Sequence, residues 1–420
     1  MTALPRRRTE LGLVLLAGLV TASALTLASL GKVGEPPPGI LVFGVAMLVL
    51  LGVAHLAVRR LAPNADPVIL PVALLLNGIG YVMIARLDQR LAGLQAVWSA
   101  IGIAAFIGTL VVVRRVRDLE RYRYTFLVVG LGLLLLPLVP GLGRNINGAR
   151  IWIRVGPIGF QPGELAKIVL ALFFASYLVE RRELLAERLR LRILLPVLLA
   201  WGVSILIMVA EKDLGSSLLF FGLFVGMVWV ATNQWLYVAG GATMFAAGAT
   251  VAYKMFGHVR TRVTIWIDPW ADSQNKGYQI VQAMFAFGSG GTLGAGLALG
   301  SPQRIPAAAT DFIFAAIGEE LGLVGTTGVL LAFLLLIGAG LRIAILCQNP
   351  FEKLLATGLT LIVGFQTFII IGGVTRLVPL TGITLPFVSY GGSSIVANYI
   401  LIALLLRISD QHDQPGSRTS

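Results

Sequence analysis

Residues 11–30, LGLVLLAGLVTASALTLASL, form an uninterrupted uncharged run that follows the basic stretch PRRR. A helix of ~20 apolar residues crosses the ~30 Å hydrocarbon core of a bilayer. The run is too long for the apolar core of a signal peptide, and no small-residue cleavage site follows it, so it reads as an uncleaved span. The same signature recurs almost to the C-terminus. We expect spans at about 11–31, 39–58, 68–86, 95–113, 124–141, 164–180, 192–211, 214–232, 236–256, 315–341, 354–374 and 385–407.

Of the 420 residues, 57% are hydrophobic and 13% charged, which excludes an ordinary soluble domain. Alternation of the barrel type is missing, and a backbone in lipid must satisfy its own hydrogen bonds, so the expected fold is an all-α polytopic membrane protein of about twelve helices. Cys347 is the only cysteine, which excludes an internal disulfide or a thiolate cluster, and His55, His258 and His412 are too scattered for a histidine metal site. The net charge of +13 reads as membrane topology and contact with anionic lipid rather than nucleic-acid binding. With the N-terminus in the cytoplasm, Arg59, Arg60 and the basic runs at 114–123 and 180–192 all fall inside, as does the C-terminal tail.

That orientation leaves 142–163, 211–215, 257–314 and 375–384 outside. The 257–314 connection far exceeds the usual ~4–6 residues, and its aromatic content predicts short helices against the outer membrane surface rather than disorder. It contains WIDPWADSQNKGYQ, residues 266–279, with the acid pair Asp268 and Asp272 and the aromatic Tyr278.

Other polar residues sit where lipid is expected. Glu164 and Lys167 in QPGELAK are one helical turn apart, suited either to a mutual ion pair or to direct function. In EKDLGSS, Lys212 offers a cation, and Asp213 reads as a helix N-cap that could also supply a carboxylate near a cationic pocket. NINGARIWIRVGP carries Asn145, Asn147, Arg150 and Arg154 around Trp152, a pattern that suits phosphate or lipid headgroups. The glycine run 288–300 lacks the strand or the Lys-Ser/Thr that a nucleotide loop needs, and reads as tight turns and close helix contact. Thr310 or Asp311 reads as an N-cap or first-turn acid of the following helix. In PLTGITLPFVSYGGSS, the hydroxyls Ser389, Tyr390, Ser393 and Ser394 suit a cavity wall or a helix contact.

QPGELAK, DLGSS, DPWADSQNKGYQ, IPAAATDFIFAAIGEELGLVG and PLTGITLPFVSYGGSS, in this order, resemble the SEDS family (shape, elongation, division and sporulation), of the RodA and FtsW type. The resemblance spans about residues 70 to 409. It implies a peptidoglycan glycosyltransferase that polymerises lipid II on the outer face of the bacterial cytoplasmic membrane, with a class B penicillin-binding protein as partner. It divides the chain into two extra N-terminal helices (1–67), the family's membrane domain (68–409) and a cytoplasmic tail (410–420). By position, Asp272 corresponds to the family's essential acid, expected here as a general base. Substrate binding is expected from Arg150, Arg154, Glu164, Lys167, Lys212, Asp213, Asp268, Tyr278, Ser389 and Ser393, with a divalent cation (Mg or Mn) as a candidate cofactor.

Two departures stand out: Ser273 where the family usually has proline, and Ala307 to Ala309 where Glu and His are common. Arg376 stands where glycine is common, a further outward cation for pyrophosphate or a headgroup. The long N-terminus and short tail incline the reading toward the elongation branch. A lipid II flippase and a noncatalytic scaffold for the transpeptidase are the alternative functions.

Overall fold

The computed structural model describes residues 3–36, 40–146, 148–155, 158–187 and 191–412. Its helices are α1 (Ala3–Val33), α2 (Ile40–Leu61), α3 (Ile69–Leu87), α4 (Gln89–Val112), α5 (Arg123–Leu135), α6 (Gly163–Glu180), α7 (Arg182–Glu187), α8 (Leu191–Ala210), α9 (Leu214–Thr232), α10 (Trp235–Met255), α11 (Gly257–Ile267), α12 (Tyr278–Gly290), α13 (Ile313–Leu346), α14 (Pro350–Val374) and α15 (Gly392–His412). Among the described residues, eleven helical segments are long and apolar enough to cross a membrane, and Leu195–Ala210 within α8 is a shorter apolar one. Each of the twelve expected spans therefore falls on an apolar helix. The fold is that of a helical, multi-pass membrane protein.

Burial sorts the helices into layers. α6, α14 and α15 are apolar on nearly every side and buried along most of their length, whereas α2 and α10 expose most of theirs. Lipid offers no hydrophobic drive for helices to associate, so close packing carries that role. Phe173, Phe174 and Tyr177 of α6 form an aromatic row, and Phe174 meets Phe224 of α9 edge-on. Tyr399 of α15 lies edge-on to Phe106 of α4 and to Phe387. At one end of the bundle, Arg407 of α15 donates to Val113 O at 2.8 Å, and Asp410 accepts from Asn64 N at 2.8 Å. These bonds anchor the connections after α2 and α4 to the central helix.

The opposite end, called distal here, carries the 257–314 connection, and it departs from expectation twice. First, the 142–163 connection contains a three-stranded antiparallel sheet: β1 (Gly143–Ile146), β2 (Ala149–Val155) and β3 (Ile158–Phe160), in the order β1-β2-β3. Arg144 pairs with Trp152, and Arg154 with Gly159. Second, the last span starts at Gly392 rather than at 385. Residues 375–391 instead run as a non-helical segment into the bundle, because Pro379 and Pro386 cannot sustain a helical ladder. Their backbone is covered by neighbours: Tyr390 N donates to Ala309 O at 2.8 Å.

The 257–314 connection does form short helices, α11 and α12, with single 3-10 turns at Trp270–Asp272 and Pro302–Arg304. Its glycine run folds back on α13, which is broken at Gly322 (φ 63°, ψ −160°). The break frees backbone groups that lipid cannot satisfy. The glycine run takes them up: Ala295 N and Gly296 N donate to Glu319 O and Glu320 O at 2.9 and 3.0 Å, and Leu323 N and Val324 N donate to Gly291 O and Thr292 O at 2.9 and 3.1 Å. The side chains reinforce this, with Glu319 accepting from Ser301 N at 2.7 Å and Glu320 from Ala298 N at 3.0 Å. Arg86 of α3 lies 3.1 Å from Glu320. The adjacent acids Glu319 and Glu320 are therefore structural, and the glycines serve turns and close contact as expected.

Candidate functional site

The distal end holds two groups of ionisable residues. The first is buried. Lys167 of α6 bonds Glu164 Oε2 at 2.8 Å and Gln366 Oε1 of α14 at 2.9 Å, and Gln366 passes the chain on by donating to Thr384 O at 2.8 Å. A charge in this setting is tolerable because it is paired and hydrogen-bonded. The ion pair thus takes form, and it also pins the non-helical segment. Asp213 sits beside it as the N-cap of α9, accepting from Ser216 N at 2.9 Å, the capping role read from its sequence. Burial raises the Asp213 carboxyl above its ordinary value, with the Ser216 bonds opposing that and Glu164 adding to it.

Around this pair lie Arg262, which the sequence did not single out, and the acids Asp311 and Glu211. Arg262 of α11 donates from Nη1 to Leu380 O at 3.0 Å and to Thr381 O at 2.6 Å. Arg262 Nη2 and Asp311 Oδ2 both approach Gly382, each 3.5 Å from where a Cβ on that glycine would lie. Burial lifts the Asp311 carboxyl to about 6, against the pull of Arg262. Neither Thr310 nor Asp311 caps α13: its N-cap is Phe312, without a side-chain bond. Asp311 is drawn instead to the arginine, and Thr310 Oγ1 bonds Ala307 O. Glu211 is also buried, and desolvation, reinforced by Asp213, raises its carboxyl to about 8. Near neutral pH it is mostly a hydrogen-bond donor rather than an anion.

Gln366 carried a signal, since a polar amide interrupts the apolar run of α14. Arg262 carried none, because its partners are backbone carbonyls more than a hundred residues away.

The second group surrounds Asp272. This residue ends the short turn Trp270–Asp272, is half-exposed, and accepts from Asn275 Nδ2 at 3.0 Å and Lys276 N at 3.4 Å. Its carbonyl receives Gly277 N at 2.9 Å, closing the loop. Gly277 has to be glycine here: an added Cβ would fall 2.1 Å from Pro269 O. Asp268 is exposed and caps the turn by accepting Trp270 N at 3.0 Å. Tyr278 is half-buried and opens α12.

The remaining candidates scatter around these two groups. Arg150 N donates to Glu211 O at 3.0 Å, which joins the sheet to the α8–α9 turn. Arg154 lies exposed on β2, and Lys212 is exposed with φ 63°. Asn145 lies on β1, whereas Asn147 lies outside the described residues. Ser389 and Ser393 are buried ties rather than cavity lining: Ser389 Oγ donates to Thr310 O at 2.6 Å, and Ser393 Oγ accepts Gln161 N at 2.8 Å. Arg376 bonds the carbonyls of Trp266 and Ile267. Among the described residues no group of three His, Cys, Asp or Glu side chains could hold a metal ion.

Comparison with known proteins bears on what this face does. The family model described as cell cycle protein, FtsW/RodA/SpoVE, matches residues 68–414. Peptidoglycan glycosyltransferase RodA of Mycobacterium tuberculosis is 46% identical over 98% of this chain and 92% of its own length. A probable peptidoglycan glycosyltransferase FtsW of Geobacter metallireducens is 34% identical over 82% of this chain and 94% of its own. Among solved structures, a chain of a peptidoglycan synthase complex superposes with a TM-score of 0.72 at 28% identity, covering 83% of this chain and 99% of that one. The rod shape determining protein RodA of Thermus thermophilus superposes with a TM-score of 0.62 at 26% identity, covering 83% and 98%.

Proposed function

The chain belongs to the FtsW/RodA/SpoVE family and is a peptidoglycan glycosyltransferase; from that premise we propose that its substrate is lipid II and that Asp272 is its general base. The reaction joins the 4-hydroxyl of one lipid-linked disaccharide to the anomeric carbon of another and expels a lipid pyrophosphate. An alcohol is a weak nucleophile, and a carboxylate within ~3 Å can take its proton as the new bond forms. A single displacement inverts the α-linked donor to a β-linkage, so no covalent enzyme intermediate is needed.

The observation that carries the assignment is the state of the carboxylates on the distal face. Glu164 is ion-paired, Asp213 caps a helix, Asp311 is buried beside Arg262, and Glu211 is mostly protonated near neutrality. Asp272 is half-exposed, in a turn closed by its own backbone. The leaving pyrophosphate would be met by the exposed cations of this face, Arg154 and Lys212, with the buried Lys167 setting the potential behind them.

The basic runs support a reading with the termini in the cytoplasm and the distal face outside, where the polymer is needed. The peptidoglycan synthase neighbour supports a class B penicillin-binding protein as partner, and the higher identity to the RodA relative supports a role in elongation. The test is polymer formation from purified protein and lipid II, with and without the cognate transpeptidase, comparing wild type with Asp272→Asn. Polymer from wild type alone supports both assignments. Polymer from both removes Asp272 from the chemistry, and polymer from neither, with the partner present, favours lipid transport or scaffolding.

A further inference from the structure

α11 is an eleven-residue helix in which no residue is buried. A helix of this length is marginal by itself, because nucleation is costly and only a few backbone bonds follow it. Something outside the helix must hold it, and the Asp272 turn follows directly from its C-terminus. Apart from Arg260, whose Nη2 donates to Lys254 O of α10 at 3.2 Å, its side-chain bonds to other parts of the chain converge on one partner, the segment 376–382. Arg262 reaches out from the helix to the carbonyls of Leu380 and Thr381. The indole Nε1 of Trp266 donates to Arg376 O at 3.0 Å. In return, Arg376 Nη2 donates to both Trp266 O and Ile267 O at 3.0 Å. These carbonyls close the last turn of α11, where the helix leaves acceptors unsatisfied and a cation is favoured. Arg376 Nη1 also lies 3.7 Å from Met284 Sδ of α12, the helix on the other side of the turn.

Arg376 adopts this position at φ 64°, a left-handed conformation in which glycine would sit without strain. The backbone here is of the kind that favours glycine, yet the chain places a guanidinium there and uses it to tie three elements together.

We propose that Arg376 is a positioning residue for Asp272: it clamps the C-terminus of α11 to the 376–382 segment and so fixes the turn that presents the carboxylate. The proposal rests on the reading of Asp272 as the base. It acts through geometry, with Nη2 committed to the backbone carbonyls of Trp266 and Ile267 and Nη1 against Met284 Sδ. Displacing a base by about 1 Å is enough to cost up to ~100-fold in rate.

The test measures kcat and KM for lipid II polymerisation by the full chain with its transpeptidase partner, alongside hydrogen exchange of residues 260–277. The variants are Arg376→Gly, Arg376→Lys and Asp272→Asn. Arg376→Gly removes the clamp at a backbone angle that glycine accepts, so global unfolding is not expected. The expected result is a kcat reduced about tenfold with KM within about twofold, and faster exchange confined to 260–277. Arg376→Lys, with a point charge in place of a fork, should fall between Arg376→Gly and wild type.

Unchanged kcat or unchanged exchange in Arg376→Gly overturns the clamp. A raised KM with kcat intact overturns it in favour of substrate binding by Arg376. If Arg376→Gly unfolds the whole chain, Arg376→Lys decides: wild-type kcat with faster exchange at 260–277 overturns the proposal, and a reduced kcat at constant KM supports it. An active Asp272→Asn removes the premise and the proposal with it, whereas an inactive Asp272→Asn beside a fully active Arg376→Gly leaves the base standing and removes the clamp alone.

Discussion

The buried layer around Lys167 and the turn around Asp272 share one face of the molecule but treat a carboxylate in opposite ways. In the first, Glu164 and Asp213 are engaged by an ammonium and by a helix N-terminus, and the bonds run on through Gln366 to the backbone of the non-helical segment. In the second, Asp272 is held only by the amide of Asn275 and the backbone of its own turn, and it keeps contact with solvent. The contrast separates two tasks. A buried carboxylate engaged by a cation or a helix N-terminus fixes structure, and one left accessible in a fixed loop can exchange a proton.

The largest expected effect falls on the accessible side of this comparison. Asp272→Asn should lower polymerisation by about 100-fold or more, the usual range for loss of a general base, while the thermal midpoint in detergent stays near wild type. A large drop in that midpoint would place Asp272 with the structural acids and erase the contrast.

Lys167→Met probes the buried side. It leaves Glu164 without its partner, so it should destabilise the fold by about 3 kcal/mol or more, read from denaturation in detergent. Wild-type stability would show that the layer is not structural.

Gly277→Ala tests whether the Asp272 turn has to be closed. Its Cβ would meet Pro269 O at 2.1 Å, so the turn must open. We expect a rate loss of about tenfold with a thermal midpoint close to wild type, because the turn lies at the surface.

Asp213 gives a smaller effect. Asp213→Ala should cost about 1 kcal/mol as a lost cap, and Asp213→Asn, which keeps an acceptor, should cost less. Equal losses in the two would show that the charge of Asp213 outweighs its capping.

A further effect is one of pH. The folded-state pKa of Glu211, about 8, lies above its ordinary value of 4.5, so ionisation is harder in the fold than in the unfolded chain. The stability linked to this group is fully present below pH 4.5 and is lost as the pH rises through about 8. Glu211→Gln should flatten the decline of the thermal midpoint between pH 4.5 and 8, and an unchanged slope would assign that decline elsewhere.

Much of the molecule was legible from residues alone. A run such as 11–30 has a single low-energy form in a bilayer, because hydrocarbon satisfies no backbone group, so apolar length by itself predicts a helix. Local chemistry was legible for the same reason: the Asp213 cap and the Glu164–Lys167 pair each need only neighbours three residues away. The sheet at 143–160 was not legible although ARIWIRV alternates apart from Trp152, because a short alternation inside a connection also fits an interfacial loop.

Tertiary structure alone decided how the remaining ionisable residues of the distal face are employed. Asp311, read as a helix cap, turns toward Arg262 because the fold brings α11 and Gly382 to it across long stretches of chain. Arg376, read as an outward cation, is committed to the carbonyls at the end of α11. A side chain's protonation and bonding depend on what lies within a few ångströms of it, and for these residues those neighbours are supplied by folding rather than by adjacent sequence.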